Sequence, residues 1–279
     1  MKDGRESAAV SMRELSPEAG GTAGLRIFIV RAAFIVFFVL LSPIYYLNRY
    51  DLLRQKKKNP FYTSKLVRFM YKHPIVYEIA LYVNNFPKPS RVYEVLPELS
   101  GEVLQVGCGT GLLNKYYRNN SGVRFTNLDV SLPSLELGKR MGRFDSYVHG
   151  DICKAPLRDE SFDAVLFARC FHHIRRTRKA LEESCRLLKP GGIVIVADPV
   201  LMHKTSAAEK MTGGYMINSS VDGVIWKYTL EGLKEHLLRN MPADLALEST
   251  TEKRLIHMTN YNLKYPHTDA VMILRKLGG

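Results

Sequence analysis

The sequence predicts an α/β fold built on a mostly parallel sheet with helices on both faces. Three observations predict it. From residue 101 onward, short β-rich runs alternate with helix-length amphipathic segments, and βαβα alternation implies parallel strands joined by crossover helices. The run Ile193–Ala197 is apolar throughout, as expected of a strand covered on both faces. The first run ends in Gly107-Cys-Gly-Thr-Gly111, a glycine turn of the kind that lets backbone approach a ligand as a helix begins.

The elements follow in order. Glu102–Val106 reads as a strand, Leu112–Arg118 as a helix, and Val123–Leu128 as a strand ending at Asp129. Leu132–Met141 is helical, Ser146–Val148 is a short strand before Gly150-Asp151, and Phe162–Phe167 is a strand. Ile174–Leu188 is a helix stopped by Lys189-Pro-Gly-Gly192, where proline and glycine end what they cannot continue. After Ile193–Ala197, residues 199–228 are long for a plain connection. They carry Met202, Met211, Tyr215, Met216, Ile217, Val224, Ile225 and Trp226. Both a lid over an apolar acceptor and ordinary packing fit that composition. Thr229 can cap a helix through Arg239. Leu245–Thr251 and Ala270–Leu274 supply two antiparallel strands, making seven.

The first hundred residues differ in character. Residues 1–24 lack apolar periodicity and read as a disordered tail. Residues 25–48 read as a membrane anchor, because no charge occurs from Ala32 to Asn48. As a helix, Ile27 to Leu47 would extend roughly 30 Å, about the thickness of a bilayer core. Arg31 could snorkel at one end, and Tyr45 and Tyr46 could sit at the interface at the other. The segment could span, or dip and return at Pro43. Arg49, Arg54, Lys56, Lys57 and Lys58 follow it, opposed only by Asp51. The positive-inside rule then turns the following domain toward the cytoplasm. Residues 49–100 read as a basic juxtamembrane stretch with amphipathic helices. Leu66, Phe69 and Met70 share a face there, Pro74 breaks the pattern, and Pro87-Lys-Pro89 ends it. These helices could pack on the sheet or lie on a membrane. Residues 101–279 form the main domain.

Charge and cysteines narrow the function. The chain of 279 residues has a formal net charge of +13, which invites a nucleic-acid reading. Residues 1–72 hold 13 Lys/Arg against 5 Asp/Glu, whereas the other 207 hold 27 against 22. The excess therefore lies around the apolar segment, where anionic lipid attracts it. The domain has no basic stripe interleaved with aromatics, so nucleic acid is not the expected partner. Cys108, Cys153, Cys170 and Cys185 form no C-x-x-C pair and stand at no zinc spacing. They read as reduced thiols, and no metal site is expected.

The glycine turn has the spacing G-x-G-x-G and not G-x-G-x-x-G, and acidic residues end the next two strands. Val103-Leu-Gln-Val-Gly-Cys-Gly-Thr-Gly111, Leu128-Asp-Val-Ser131, Gly150-Asp-Ile-Cys-Lys-Ala-Pro-Leu157, Ser161-Phe-Asp-Ala-Val165 and Leu187-Leu-Lys-Pro-Gly-Gly192 follow one another. This series resembles the motifs of Rossmann-like, class I S-adenosylmethionine-dependent methyltransferases, in particular the ubiquinone/menaquinone-biosynthesis type. The resemblance implies S-adenosyl-L-methionine as cofactor. It implies that Gly107, Gly109 and Gly111, with Cys108 in the same loop, line its methionine and ribose part. Asp129 would accept from both ribose hydroxyls, Val130 would contact the adenine, and Asp151 would accept from the adenine amino group. Ile152 would offer a backbone N–H, and Arg169 would contribute backbone near the methionine end. Gln105 stands where the family usually has a carboxylate that positions the cofactor's amino group; it keeps an acceptor oxygen and loses the charge.

Methyl transfer is an in-line displacement, so the protein chiefly aligns the reactants in a dry site. A base is needed only where the acceptor must lose a proton. His172 or His173, after the fourth strand, could serve as base or as orienter, and a structural role is the alternative for each. Asp198, ending the fifth strand, is placed to line the acceptor pocket. The reading is therefore methyl transfer to a hydrophobic small molecule (a quinone precursor, a lipid or a polyketide-like product) at a membrane. A nicotinamide-dependent oxidoreductase and a non-catalytic cofactor-binding protein are the alternatives. The glycine spacing disfavours the first, and Gln105 is the one support for the second.

Overall fold

The computed structural model describes residues 21–56, 64–87, 93–117, 120–202, 215–219, 223–256 and 267–278. Seven strands form one sheet: β1 (Gly101–Val106), β2 (Val123–Asp129), β3 (Val148–His149), β4 (Phe162–Ala168), β5 (Leu188–Leu201), β8 (Leu245–Lys253) and β9 (His267–Lys276). Their spatial order is β3-β2-β1-β4-β5-β9-β8. The first five are parallel, and β9 runs antiparallel between β5 and β8. The order reverses between β1 and β4, which opens a crevice at their carboxyl ends, the usual ligand position in such sheets. A separate hairpin pairs β6 (Tyr215–Ser219) with β7 (Gly223–Lys227).

Strand alternation explains why both faces are covered. Leu104, Val106, Val165, Phe167, Val194 and Val196 point into one buried cluster. There they meet Ala180, Leu181 and Leu187 of α6 (Thr177–Leu187) and Leu233 and Leu237 of α7 (Leu230–Asn240). Val103, Ala164, Leu166, Ile195 and Ala197 point the other way, onto Leu99 and Leu113. Burying such a side chain contributes about 1.5–3 kcal/mol, so the central strands anchor the sheet from both sides.

Two features depart from expectation. The stretch Lys189-Pro-Gly-Gly192 follows the end of the helix at Leu187 as read, but it lies inside β5, which starts at Leu188 and not at Ile193. The β4–β5 register shifts between Phe162 and Ala164, so these residues bulge out while the strand continues. Gly191 takes φ +76°, and Lys189 Nζ reaches Asp163 Oδ1 at 2.8 Å, which fixes the bulge. The helix α4 after the glycine turn covers only Leu112–Tyr116.

At the N-terminal side, α1 runs from Gly21 to Lys56, straight through Pro43. Among the described residues, no helix is long and apolar enough to cross a membrane, so a spanning anchor at residues 25–48 is not supported. Packing supplies a physical reason. Val30 is buried against Ile27, Val83 and Ile256, so one side of α1 rests on protein. Ser64 accepts from Val67 N at 3.4 Å and starts α2 (Lys65–Lys72). Pro74 starts α3 (Pro74–Asn84), where its missing N–H costs nothing. On α2, Val67 and Met70 face inward, while Phe69, expected beside Met70, faces outward. Both helices lie against α5 (Leu132–Arg140).

Candidate functional site

The carboxyl ends of β1, β2, β4 and β5 bring the expected residues together. Gly107 turns left-handed at φ +65° because its backbone passes Cys170; a Cβ there would stand 2.7 Å from the Cys170 Cβ. Gly109, at φ +55°, has nothing within 4 Å of where a Cβ would stand, so the loop presents bare backbone to the crevice. The carboxylate of Asp129 ties this loop down. Its Oδ2 accepts from Gly109 N at 2.7 Å and its Oδ1 from Ser131 N at 2.8 Å. Burial pushes the Asp129 carboxyl up, and the hydrogen bonds from the Ser131 and Gly109 amides pull it back. A carboxylate has about four acceptor sites, so two remain for a pair of hydroxyls. Val130 beside it is 69% exposed, an apolar surface at the strand end.

Gln105 is 3% exposed, and its Oε1 has no hydrogen-bond partner among the described residues. It pairs in register with Asn127 of β2, whose Oδ1 is likewise buried and unmatched. Buried acceptors without donors are rare and call for an explanation. A positively charged amino group would satisfy the first, so the donor set fits the methionine end of the cofactor. Tyr93 lies nearby and was not anticipated; burial raises its phenol to about 12 even though Arg169 and Arg143 oppose it.

Asp151 caps the short turn Ile152–Lys154 and accepts from Cys153 N at 2.9 Å. Its other oxygen holds Arg176 at 2.7 Å. Burial acts to raise this carboxyl, but the Cys153 amide and Arg176 hold it below the ordinary range. Ile152 is buried beneath it. Arg176 is a partner that local sequence did not signal.

Arg169 adopts φ +57° just after β4, and its N–H donates to Ala197 O of β5 at 2.7 Å. Its guanidinium pairs with buried Asp269 Oδ1 of β9 at 2.7 Å. Next come His172 and His173 on the turn Phe171–His173. The His172 N–H donates to Asp198 Oδ2 at 2.8 Å, and its ring Nδ1 stands 3.1 Å from Asp198 Oδ1, out of line for a hydrogen bond. The His173 ring packs on that of His172, centroids 4.3 Å apart. Tyr228, also unanticipated, is buried near Asp198; burial and then that carboxylate raise its phenol. β7 lies against the histidine turn, so part of the long connection covers this side of the crevice, while residues 203–214 lie outside the described ones. The thiols of Cys108 and Cys170 are both driven well up, first by burial and then by Asp129 and Asp198 respectively. That removes them as nucleophiles at neutral pH. All four cysteines are free, and among the described residues no cluster could hold a metal ion.

One brace supports the glycine loop from outside. Arg143 Nη1 donates to Thr110 O at 3.1 Å and to Thr110 Oγ1 at 2.9 Å. The same guanidinium is gripped by both oxygens of Glu78 on α3, one of them at 3.0 Å. The pair is almost fully buried.

Comparison with known proteins agrees with this geometry. Residues 104–196 match the methyltransferase-domain family. A demethylmenaquinone methyltransferase of Renibacterium salmoninarum is 38% identical over 96 residues, covering 34% of this chain and 40% of that protein. A malonyl-[acyl-carrier protein] O-methyltransferase of Pectobacterium atrosepticum is 29% identical over 153 residues, 53% of this chain and 60% of that protein. The chain thus matches less than two thirds of the length of either relative. Among solved structures, the [4+2]-cyclase SpnF superposes with a TM-score of 0.55 at 18% identity, covering 77% of this chain and 97% of that one. A SAM-dependent methyltransferase of Methanosarcina mazei gives 0.51 at 16% identity, covering 68% and 98%. These structural likenesses establish the fold. The family match, with the ordered motifs, identifies residues 104–196 as a methyltransferase domain.

Proposed function

We propose that this protein transfers a methyl group from S-adenosyl-L-methionine to a hydrophobic small-molecule acceptor at a membrane. The quinone-like and acyl-carrier relatives support an acceptor of the quinone-precursor, lipid or polyketide-like class. The observation that carries the cofactor reading is the pairing of a bare glycine loop, tied to Asp129, with the unmatched Gln105 Oε1. The cofactor supplies an electrophilic methyl carbon on a sulfonium. Asp129 would hold the ribose, Val130 and Asp151 would receive the adenine, and Gln105 would accept from the amino group. Where the acceptor is a hydroxyl, His172 would take its proton, and the cofactor would supply the methyl group that the oxygen receives. Asp198, holding the His172 backbone, sets where that ring stands.

Two measurements test this reading. Calorimetry of the full chain with S-adenosylhomocysteine should show binding, and NAD should show none. Comparison of cell extracts with and without the protein should reveal a product heavier by one CH2 than its precursor. Tight NAD binding with no response to S-adenosylhomocysteine would overturn it.

A further inference from the structure

Residues 21–86 leave outward what a water-facing surface normally hides. Of 24 large apolar side chains exposed among the described residues, 17 lie between Leu25 and Phe86. On α1, Val30 and Asn48 are buried, and a spacing of 18 residues is five whole helical turns. They mark one inward side. Away from it, Phe28, Val39, Leu40 and Leu47 are each more than 60% exposed. On α3, Ile75 and Ile79 stand one turn apart at 60% and 59% exposure, while Glu78, the helix's only carboxylate, points inward. Soluble surface helices place these residue types the other way round. An apolar patch of this extent marks a surface that something covers.

Charge selects the occupant. Residues 21–86 contain ten Lys/Arg and two Asp/Glu. Of the two acids, Glu78 is spent on Arg143, and Asp51 accepts from Lys65 N. Arg26, Arg54, Lys65, Arg68 and Lys72 are exposed beside the apolar residues, with Phe69 and Tyr71 among them. Basic residues, aromatic rings and aliphatic side chains on one surface are the composition of a segment lying in a headgroup layer. A second copy of the chain would bring like charges together.

We propose that α1, α2 and α3 form one docking face that lies flat on an anionic lipid bilayer. This deepens the membrane setting proposed above and rests on that reading only for its purpose. The flat orientation agrees with a helix held to protein along one side. It also places the lipid one helix away from the glycine loop, since α3 grips Arg143 and Arg143 grips Thr110.

The test is co-sedimentation of the full chain with vesicles of phosphatidylcholine alone, or of phosphatidylcholine and phosphatidylserine in equal parts. Sedimentation with the anionic vesicles is expected. The pair Ile75→Glu and Ile79→Glu should weaken it by about tenfold or more, since two apolar side chains no longer leave water. Lys65→Glu with Lys72→Glu, or high salt, should weaken it comparably. S-adenosylhomocysteine affinity should stay unchanged in all four substitutions, which separates docking from cofactor binding. Wild-type protein that binds vesicles but not S-adenosylhomocysteine would sink methyl transfer and leave docking standing. Three results would overturn the docking face: no sedimentation with either vesicle, resistance to alkaline carbonate as a spanning helix would show, or apolar-to-Glu variants that only dissociate a dimer.

Discussion

Replacing Asp129 with alanine isolates the contact on which the cofactor assignment turns. In the ligand-free protein the substitution removes two acceptors, those facing Gly109 N at 2.7 Å and Ser131 N at 2.8 Å. With cofactor bound it also removes the two free acceptor sites assigned to the ribose hydroxyls. Hydrogen bonds to a charged group contribute about 1.5–3 kcal/mol each. Losing even one such contact raises the dissociation constant about ten- to a hundredfold. Gln105→Ala, by contrast, removes a single hydrogen bond, to the cofactor's charged amino group, worth about 1.5–3 kcal/mol, where Asp129→Ala removes a pair. The assay is calorimetric titration of each full-length variant with S-adenosylhomocysteine, with thermal unfolding of the ligand-free protein in parallel. Asp129→Asn keeps the side chain's shape and should fall between wild type and alanine. Equal losses in the Asp129→Ala and Gln105→Ala proteins would refute the ribose contact. So would an Asp129→Ala protein that melts earlier yet binds normally, because the carboxylate would then be only a brace for the loop.

Four further outcomes follow from the geometry. Gln105→Glu should hold or improve S-adenosylhomocysteine affinity while lowering the melting temperature of the ligand-free protein, because the new charge is buried at a site 3% exposed; thermal shift with and without ligand reads both. Glu78→Ala should cost about 3–5 kcal/mol in urea unfolding by leaving the buried Arg143 guanidinium unpaired, with Glu78→Gln between it and wild type. His172→Ala should cut turnover on a hydroxyl acceptor about a hundredfold or more with S-adenosylhomocysteine affinity unchanged; turnover within a few-fold of wild type would remove it as the base. Burial, and then Arg239, hold His236 below its ordinary 6.5, so the folded protein resists protonating it while the unfolded chain does not. Its contribution is complete above that value and is lost as pH falls from there through the lower folded value; unfolding midpoints measured across this window should drop, and His236→Gln should flatten the drop.

Much of the central domain was legible because its signals are local. A run such as Ile193–Ala197 announces a doubly covered strand by composition alone, and the loop Gly107–Gly111 announces left-handed backbone by its glycines. The bulge at Lys189–Gly192 was not legible, since proline and glycine stop a helix and kink a strand equally well, and the Asp163 partner that decides the matter lies 26 residues away. The same limit applies to the site. Gln105 was found through the family resemblance, which usually has a carboxylate there, and Asn127 could have been, as an amide on the neighbouring strand in register with it. Arg176 on Asp151, Asp269 on Arg169 and Glu78 on Arg143 were hidden because nothing near either partner marks the pairing. Counting uncharged residues between 32 and 48 spoke to apolarity alone. Which side of that helix rests on Val83 and Ile256 is a tertiary fact.

The position of β9 sets the order in which this protein can become functional as it is made. The strand that inserts beside β5 is the last of this sheet's seven in chain order, and its Asp269 clasps an arginine 100 residues earlier. Until residues 267–276 leave the ribosome, β5 has an open edge and the Arg169 bend lacks its side-chain partner. Contacts of such long sequence separation form late because the loop between them must first be closed. During that interval the emerging chain displays an apolar, unpaired strand, the kind of edge to which other chains adhere. A stalled or clipped chain lacking this one strand would therefore be a candidate for chaperone capture before it could hold a cofactor.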